Sequence, residues 1–282
     1  MNRIILIDKP KDITSQGVVS RIKRILNVKK VGHTGTLDPL ATGVLPILVG
    51  DATKLSKYLI EHDKIYVATL KLGQKKDTGD EEGEIIAEAK VPDLDEQKIC
   101  SVLKLFEGKQ KQAPHKYSAV KIAGKKLYEY ARAGEEVEIP KRDIEIYEMN
   151  LLEFDSEKKE ISFEVSCSKG TYIRVLCEDI AEKLGTVGFM KSLHRTKVSD
   201  FNIKNAVKIE DLTTDCVISV ENFCKKYPKI ELNDRKLELF LNGVMLTFHE
   251  NDGVYKIYNN GKFIGLGVVK NELLKRDIVI GG

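Results

Sequence analysis

Residues 32–46 read GHTGTLDPLATGVLP, a single carboxylate, Asp38, set between a Gly- and Thr-rich approach and a proline. Glycine permits backbone conformations that other residues avoid, and proline fixes φ and removes a donor. Such a loop either presents its Asp for use or employs it as an ordinary turn former, and turn chemistry alone leaves both open. The flanks give the loop its setting. Before it, Thr14 or Ser15 can cap a helix that places Val18, Val19, Ile22, Ile25 and Leu26 on one face. After it, Val44–Val49 is a short apolar strand.

Farther out, Arg3–Ile7 reads as a strand ended by Lys9-Pro10, and Ala52–Ile60 as a helix. Lys64–Leu72 alternates as a strand with Ile65, Val67 and Thr69 on one face. Gln74–Gly83 reads as a polar loop, Glu84–Glu88 as a strand and Asp95–Phe106 as a helix that buries Ile99, Val102, Leu103 and Phe106. Residues 109–140 form a basic excursion containing a short helix, Lys125–Ala133, stopped by Gly134. Ile144–Phe154 and Glu160–Cys167 are paired strands around a turn at Asp155–Lys158. Tyr172–Leu184 is a helix stopped by Gly185, and Met190–Val198 returns as a strand. Strands and helices in mixed order predict an α/β fold of α+β type with a mixed sheet. From about Asn205 the texture changes: short helical connectors over 206–227, then Leu232–Leu241 and Gly-punctuated strands at Val254–Tyr258, Lys262–Val269 and Asp277–Ile280. Two domains are expected, 1–227 and 228–282.

Composition excludes several function classes. No run approaches the roughly 18 apolar residues of a membrane span, and MNRIILIDKP turns polar too soon for a signal peptide. The five cysteines (Cys100, Cys167, Cys177, Cys216, Cys224) are odd in number and form no C-x-x-C, so a reduced cytoplasm is expected and a zinc framework is not. His33, His62, His115, His194 and His249 show no metal spacing. A net charge of +3 gives no global nucleic-acid signal. Its distribution says more. Residues 1–30 carry eight basic side chains against Asp8 and Asp12, residues 109–126 carry six lysines and no acid, and residues 77–96 are largely acidic. Such segregation fits one basic face for a polyanion, or simply lysines that keep a protein in solution. The glycines of the opening stretch have the wrong spacing for a dinucleotide fingerprint or a P-loop. Thr78–Ala89 lacks the first and last ligands of a calcium loop. Ser20–Lys23 and Ser118–Lys121 match S-x-x-K without its companion motifs, and no G-x-S-x-G occurs.

The stretch GHTGTLDPLATGVLP resembles the signature of the TruB family of tRNA pseudouridine synthases. The resemblance continues, in order, through Lys9-Pro10, KIYVATLKLG (Lys64–Gly73), QAPHKYSAVKIAGKKLYEYARAGEEV (Gln112–Val137), KGTYIR (Lys169–Arg174) and GFMKSLHRTKVSDF (Gly188–Phe201). It covers most of the chain to about Lys204 and departs at His115, where the family pattern has a second proline. It implies a mostly antiparallel catalytic sheet of pseudouridine-synthase type, a basic lid inserted at about 109–140, and a PUA-like RNA-binding domain over 228–282. It implies that the chain isomerises the uridine at position 55 in the T arm of tRNA. No cofactor, metal or protein partner would be required, and a monomer is expected.

The resemblance assigns roles by position. Asp38 is the catalytic carboxylate. Its ionised form, inside a pocket that excludes water, needs a fixed cation, and Arg174 of KGTYIR supplies it. A cation at a helix start opposes the helix dipole, which favours a specific partner there. Tyr66 stacks on the turned-out base and takes the C5 proton. His33 supports the gap the base leaves, Tyr172 packs beside the pocket, and Asp80 contacts RNA or orders its loop. Lys9, Pro10, Thr36, Lys116, Lys121 and Lys169 fall on the RNA side. The alternatives are a tRNA-binding folding chaperone with secondary or no catalysis, and a guide-RNA-dependent relative. The length of the chain and its lack of long charged tails speak against the latter.

Overall fold

A computed structural model describes residues 2–60, 63–118, 120–213 and 216–280. His62 lies outside these. Strand β1 (Arg3–Lys9) leads to helix α1 (Ser15–Ile25), whose N-cap is Thr14, its hydroxyl accepting from the Gly17 amide. Val18, Val19 and Ile22 are buried as expected, but Ile25 at the helix end is half exposed. A short β2 (Val31–His33) pairs antiparallel with β3 (Thr42–Val49), and the intervening loop carries Asp38. The expected helix after β3 is a 3-10 turn, Gly50–Ser56, running into α2 (Lys57–Ile60).

Strand β4 (Lys64–Leu72) buries Tyr66, Ala68, Leu70 and Leu72, so Ile65, Val67 and Thr69 lie on the less buried face. Both faces are apolar at its start, and Leu70 and Leu72 decide which one enters the core. The start of the expected polar loop is a strand, β5 (Gln74–Lys76), paired with the expected strand β6 (Ile85–Glu88). Helix α3 (Glu96–Lys104), capped by Asp95, buries Ile99, Val102 and Leu103. Residues 108–112 belong to the main sheet as β7 (Gly108–Gln112), so the basic excursion starts later than expected. It holds β8 (Lys121–Ile122), β9 (Lys125–Lys126) and α4 (Leu127–Ala133), and it ends on Gly134 in the left-handed conformation, φ 67°.

Strands β10 (Arg142–Asp155) and β11 (Glu160–Cys167) pair as expected, helix α5 (Ile173–Lys183) follows, and β12 (Gly188–Val198) returns into the sheet. The connector is not purely helical. Beyond β13 (Phe201–Asn202), β14 (Val217–Ser219) pairs with β1 before α6 (Val220–Phe223). The main sheet runs β14-β1-β3-β12-β4-β11-β10-β7, antiparallel except where β12 meets β3. A second sheet, β15-β17-β18-β19-β16, is built from β15 (Lys229–Glu231), β16 (Leu246–Thr247), β17 (Gly253–Asn259), β18 (Lys262–Lys270) and β19 (Leu273–Val279), with α7 (Asp234–Leu241) beside it. Leu266 and Ile278 of this sheet share a core with Ile4, Leu6, Leu48 and Leu55 of the first. Among the described residues no helix is long and apolar enough to cross a membrane.

The sheet sets the position of the site. Its centre, β3-β12-β4, is flanked by the Asp38 loop and by α5, and the apolar side chains of both enter one core with Tyr66, Ala68 and Met190.

Candidate active site

The Asp38 loop is pinned on both sides of the carboxylate. Leu37 and Leu40 are each 3% exposed and insert into the core. Each such burial contributes about 2 kcal/mol of apolar stabilisation. Ser15 at the start of α1 clasps the loop, its hydroxyl accepting from the Leu37 amide at 2.9 Å and donating to the Leu37 carbonyl at 3.0 Å. Ala41 N–H donates to Asp38 O at 3.1 Å and closes a turn over Pro39. Lys9 is fully buried, and its ammonium donates to the carbonyls of Pro10, Ile13 and Pro39. The expected RNA contact of Lys9 is therefore corrected. Its charge is spent on three carbonyls around the loop, one of them next to Asp38.

Held this way, the Asp38 carboxylate projects from the sheet into a cleft of about 390 Å³, and its side chain is 43% exposed. The water-excluding pocket expected around it is open in the free protein. Arg174, in the first turn of α5, meets Asp38 Oδ2 with Nη2 at 3.2 Å. The same guanidinium donates to Thr78 O, to Tyr117 O and to Asp80 Oδ2, the last at 3.3 Å. Four oxygens thus fix a buried cation at a helix start, where the dipole alone would disfavour it. Asp80 is itself buried, taking the Thr78 hydroxyl and the Glu82 amide on Oδ1. It orders its loop and the arginine rather than facing RNA. One arginine stands between two carboxylates. Glu82, beside them, is held above the usual carboxylate range, first by burial and then by the charges of Asp80 and Asp38.

Tyr66 lines the same cleft, 8% exposed. Burial pushes its phenol above the usual tyrosine range, and Arg195 opposes that shift. Tyr172 lines the same cleft, fixed by a two-way clasp in which its N–H donates to Gln112 Oε1 and its carbonyl accepts from Gln112 Nε2. Thr36 and Lys121 are exposed on the rim. The cleft therefore gathers Asp38, Tyr66, Arg174, Tyr172, Thr36 and Lys121.

Other expected residues fall elsewhere. Lys116 lines a different cavity under the lid, with its ammonium 5.4 Å from the Tyr117 ring centre. Lys169 is exposed in the turn before α5, and Pro10 is exposed beyond β1. His33 ends β2 half-buried. Burial and the charge of Arg195 lower its pKa, so it is a neutral imidazole rather than a phosphate-binding cation. Sequence reasoning missed Arg142 on the cleft rim, Tyr117, whose carbonyl binds Arg174, and Arg195, buried beneath Tyr66. Arg195 had a signal: it is a cation in the middle of a strand whose neighbours enter the core.

Comparison with known proteins places this geometry. Residues 23–173 match the model of the TruB family pseudouridylate synthase N-terminal domain, and residues 174–234 that of the tRNA pseudouridylate synthase B C-terminal domain. The tRNA pseudouridine synthase B of Caldanaerobacter subterraneus subsp. tengcongensis is 43% identical over 277 residues, 96% of each chain. That of Clostridium tetani is 42% identical over 285 residues, 98% of each chain. Among solved structures, a chain of a Cbf5-Nop10-Gar1 complex superposes with a TM-score of 0.70 at 26% identity, covering 99% of this chain and 83% of that one. A chain of an H/ACA RNP bound to a substrate RNA containing 2'-deoxyuridine has the same fold, with a TM-score of 0.72 at 24% identity, covering 99% of this chain and 85% of that one. A family match across more than half its length, with relatives this similar from end to end, means that the chain belongs to the TruB family of pseudouridylate synthases.

Proposed function

We propose that this protein isomerises a uridine of tRNA to pseudouridine, the residue at position 55 in the T arm, and that it acts without a protein partner or cofactor in the cytoplasm. The observation that carries the reading is one cleft lined by both the Asp38 carboxylate, fixed by Arg174, and the buried Tyr66. The reaction breaks N1–C1′ and forms C5–C1′. C5 loses its proton and N1 gains one, so the base is conserved and no oxidant is needed. Asp38 provides the carboxylate, as a nucleophile at C1′ or C6 or as the base at C2′. Arg174 keeps it ionised once RNA covers the cleft and water leaves. The uridine must leave its stack to enter, and Tyr66 offers the face on which it lies. Tyr66 also takes the C5 proton after the new bond has formed. Lys121 and Arg142 on the rim supply charge for the flanking phosphates.

Asp38→Asn keeps the size of the side chain and removes its charge. Isomerisation is expected to be abolished, with binding of a T-arm stem-loop retained. Tritium release from 5-tritiated uridine measures the first and filter binding the second. Sustained turnover by the variant would remove Asp38 from the mechanism.

A further inference from the structure

One cation near the cleft has no part in the scheme above. Arg195 lies in the middle of β12, fully buried, opposite Tyr66 of β4 on one side and Gly43 of β3 on the other. Residues opposed across a ladder share a face and touch. Its Nε donates to Val44 O at 2.9 Å and its Nη2 to Gly35 O at 3.1 Å, and these two carbonyls bracket the Asp38 loop. The guanidinium is the charge that opposes the burial-driven rise of the Tyr66 phenol pKa.

This is a costly place for a cation. Among the described residues its hydrogen-bond partners include no carboxylate, and Lys9, Lys64 and His33 all feel its charge as repulsion. A buried charge without a counter-ion carries a large desolvation penalty, and an apolar side chain of similar length would fill the space without it. The ionisable group that this charge favours is the Tyr66 phenol.

We infer that Arg195 is a positioning residue for the last proton transfer, clasping the two ends of the Asp38 loop while it lies across the ladder from Tyr66, and stabilising the phenolate that receives the C5 proton. The inference rests on the reading of Tyr66 given above. In the step, the C5–H bond breaks, its electron pair restores the C5=C6 double bond, and the proton passes to the Tyr66 oxygen. N1 takes its proton from solvent. The acceptor is the phenolate, formed after the Tyr66 phenol has released its own proton to solvent, a loss that burial disfavours and the guanidinium favours.

The test is turnover of a T-arm stem-loop with and without deuterium at C5 of the target uridine, in the full chain. Tyr66→Phe, Arg195→Met, Arg195→Lys and the Tyr66→Phe/Arg195→Met pair are compared, each checked for folding by thermal melting. Arg195→Met is expected to lower kcat by about 10-fold or more. Its C5 isotope effect rises because proton removal has become slow. KM stays unchanged, Arg195→Lys falls between wild type and Arg195→Met, and the pair is no slower than Tyr66→Phe alone. An Arg195→Met enzyme slowed without any rise in isotope effect would overturn the inference and leave Arg195 a support of the loop. Should Arg195→Met not fold, Arg195→Lys is read in the same way, an unchanged isotope effect again overturning it. Failure of the underlying reading is distinct: Tyr66→Phe itself would then show no rise.

Discussion

His115 is a buried imidazole at the root of the lid, and its environment is built for the neutral ring. Tyr117 N–H donates to its Nδ1 at 3.2 Å, which a proton on Nδ1 would forbid. Burial pushes its pKa down to about 3, aided by the charges of Arg174, Lys116 and Lys75, with Asp77 opposing. The unfolded chain therefore binds a proton that the native state refuses. Stability contributed by this residue is complete above the usual histidine pKa and is lost as pH falls toward about 3, with a slope of up to about 1.4 kcal/mol per pH unit. Glu178, 4.0 Å from Nε2, acts in the opposite sense, since burial raises its pKa and acid lets it bind a proton in the native state. His115→Gln is expected to flatten the decline in urea midpoint between about pH 7 and about pH 4.5. Equal declines in the variant and wild type would contradict this. His115 stood in the sequence only as a departure from a motif, because burial and a backbone donor are not written in residue order. The pairing of Asp38 with Arg174 was legible, since chemistry asked for a cation beside the acid and the family resemblance named which one. Lys9 was misplaced because a lysine in a basic segment looks the same whether its ammonium meets phosphate or three carbonyls.

At the scale of elements, the parallel contact between β3 and β12 is the seam that brings Asp38 and Tyr66 into one cleft. Gly43 makes it possible. It has φ 104°, and a Cβ there would sit 2.2 Å from Arg195 O. Gly43→Ala is expected to cost roughly 3 kcal/mol or more, from the left-handed strain and the backbone clash together, and to depress turnover by spreading the two strands. Gly261 provides the control: it also has positive φ, 73°, but with nothing within 4 Å, so Gly261→Ala should cost only about 1 kcal/mol. Urea unfolding of both variants measures the difference, and equal losses would mean that the seam is looser than this packing requires. Long periodic elements such as α1, α3 and β10 were legible because their apolar spacing persists for several turns or pleats. The three-residue strands β5 and β14 were not, since so few residues carry no period, and the partner of β14 lies at the other end of the catalytic sheet's sequence, in β1. Strand β4 was legible from its alternation, but which of its faces is buried was not, because both are apolar at its start.

For the whole molecule, the strands form two larger sheets, but the apolar core does not divide with them. Leu266 and Ile278 close the apolar cluster of Ile4, Leu6, Leu48 and Leu55, and Asp277 holds both Lys57 and the Tyr58 hydroxyl. Removing 228–282 would expose that cluster, so a truncated chain confounds instability with lost RNA contact. Substitutions on the surface of the full chain separate them. Lys226 and Lys229 are exposed at the entry to the second sheet, their ammonium groups beside the rings of Tyr227 (5.5 Å) and Tyr258 (4.4 Å). Tyr258 is itself buried and Lys229 also pairs with Glu231, but exposed cations here are suited to phosphate, and their distance in sequence from the Asp38 cleft makes them a candidate contact for tRNA outside the T arm. Lys226→Glu and Lys229→Glu together are expected to weaken binding of whole tRNA and to reduce the slope of log K against log salt by about 1 to 2, as one or two phosphate contacts are lost. Binding and turnover of the isolated T-arm stem-loop should stay unchanged, because that RNA ends at the cleft. Equal losses on both RNAs would place these lysines at the T arm itself, and no loss on either would leave the second sheet a structural closure of the core.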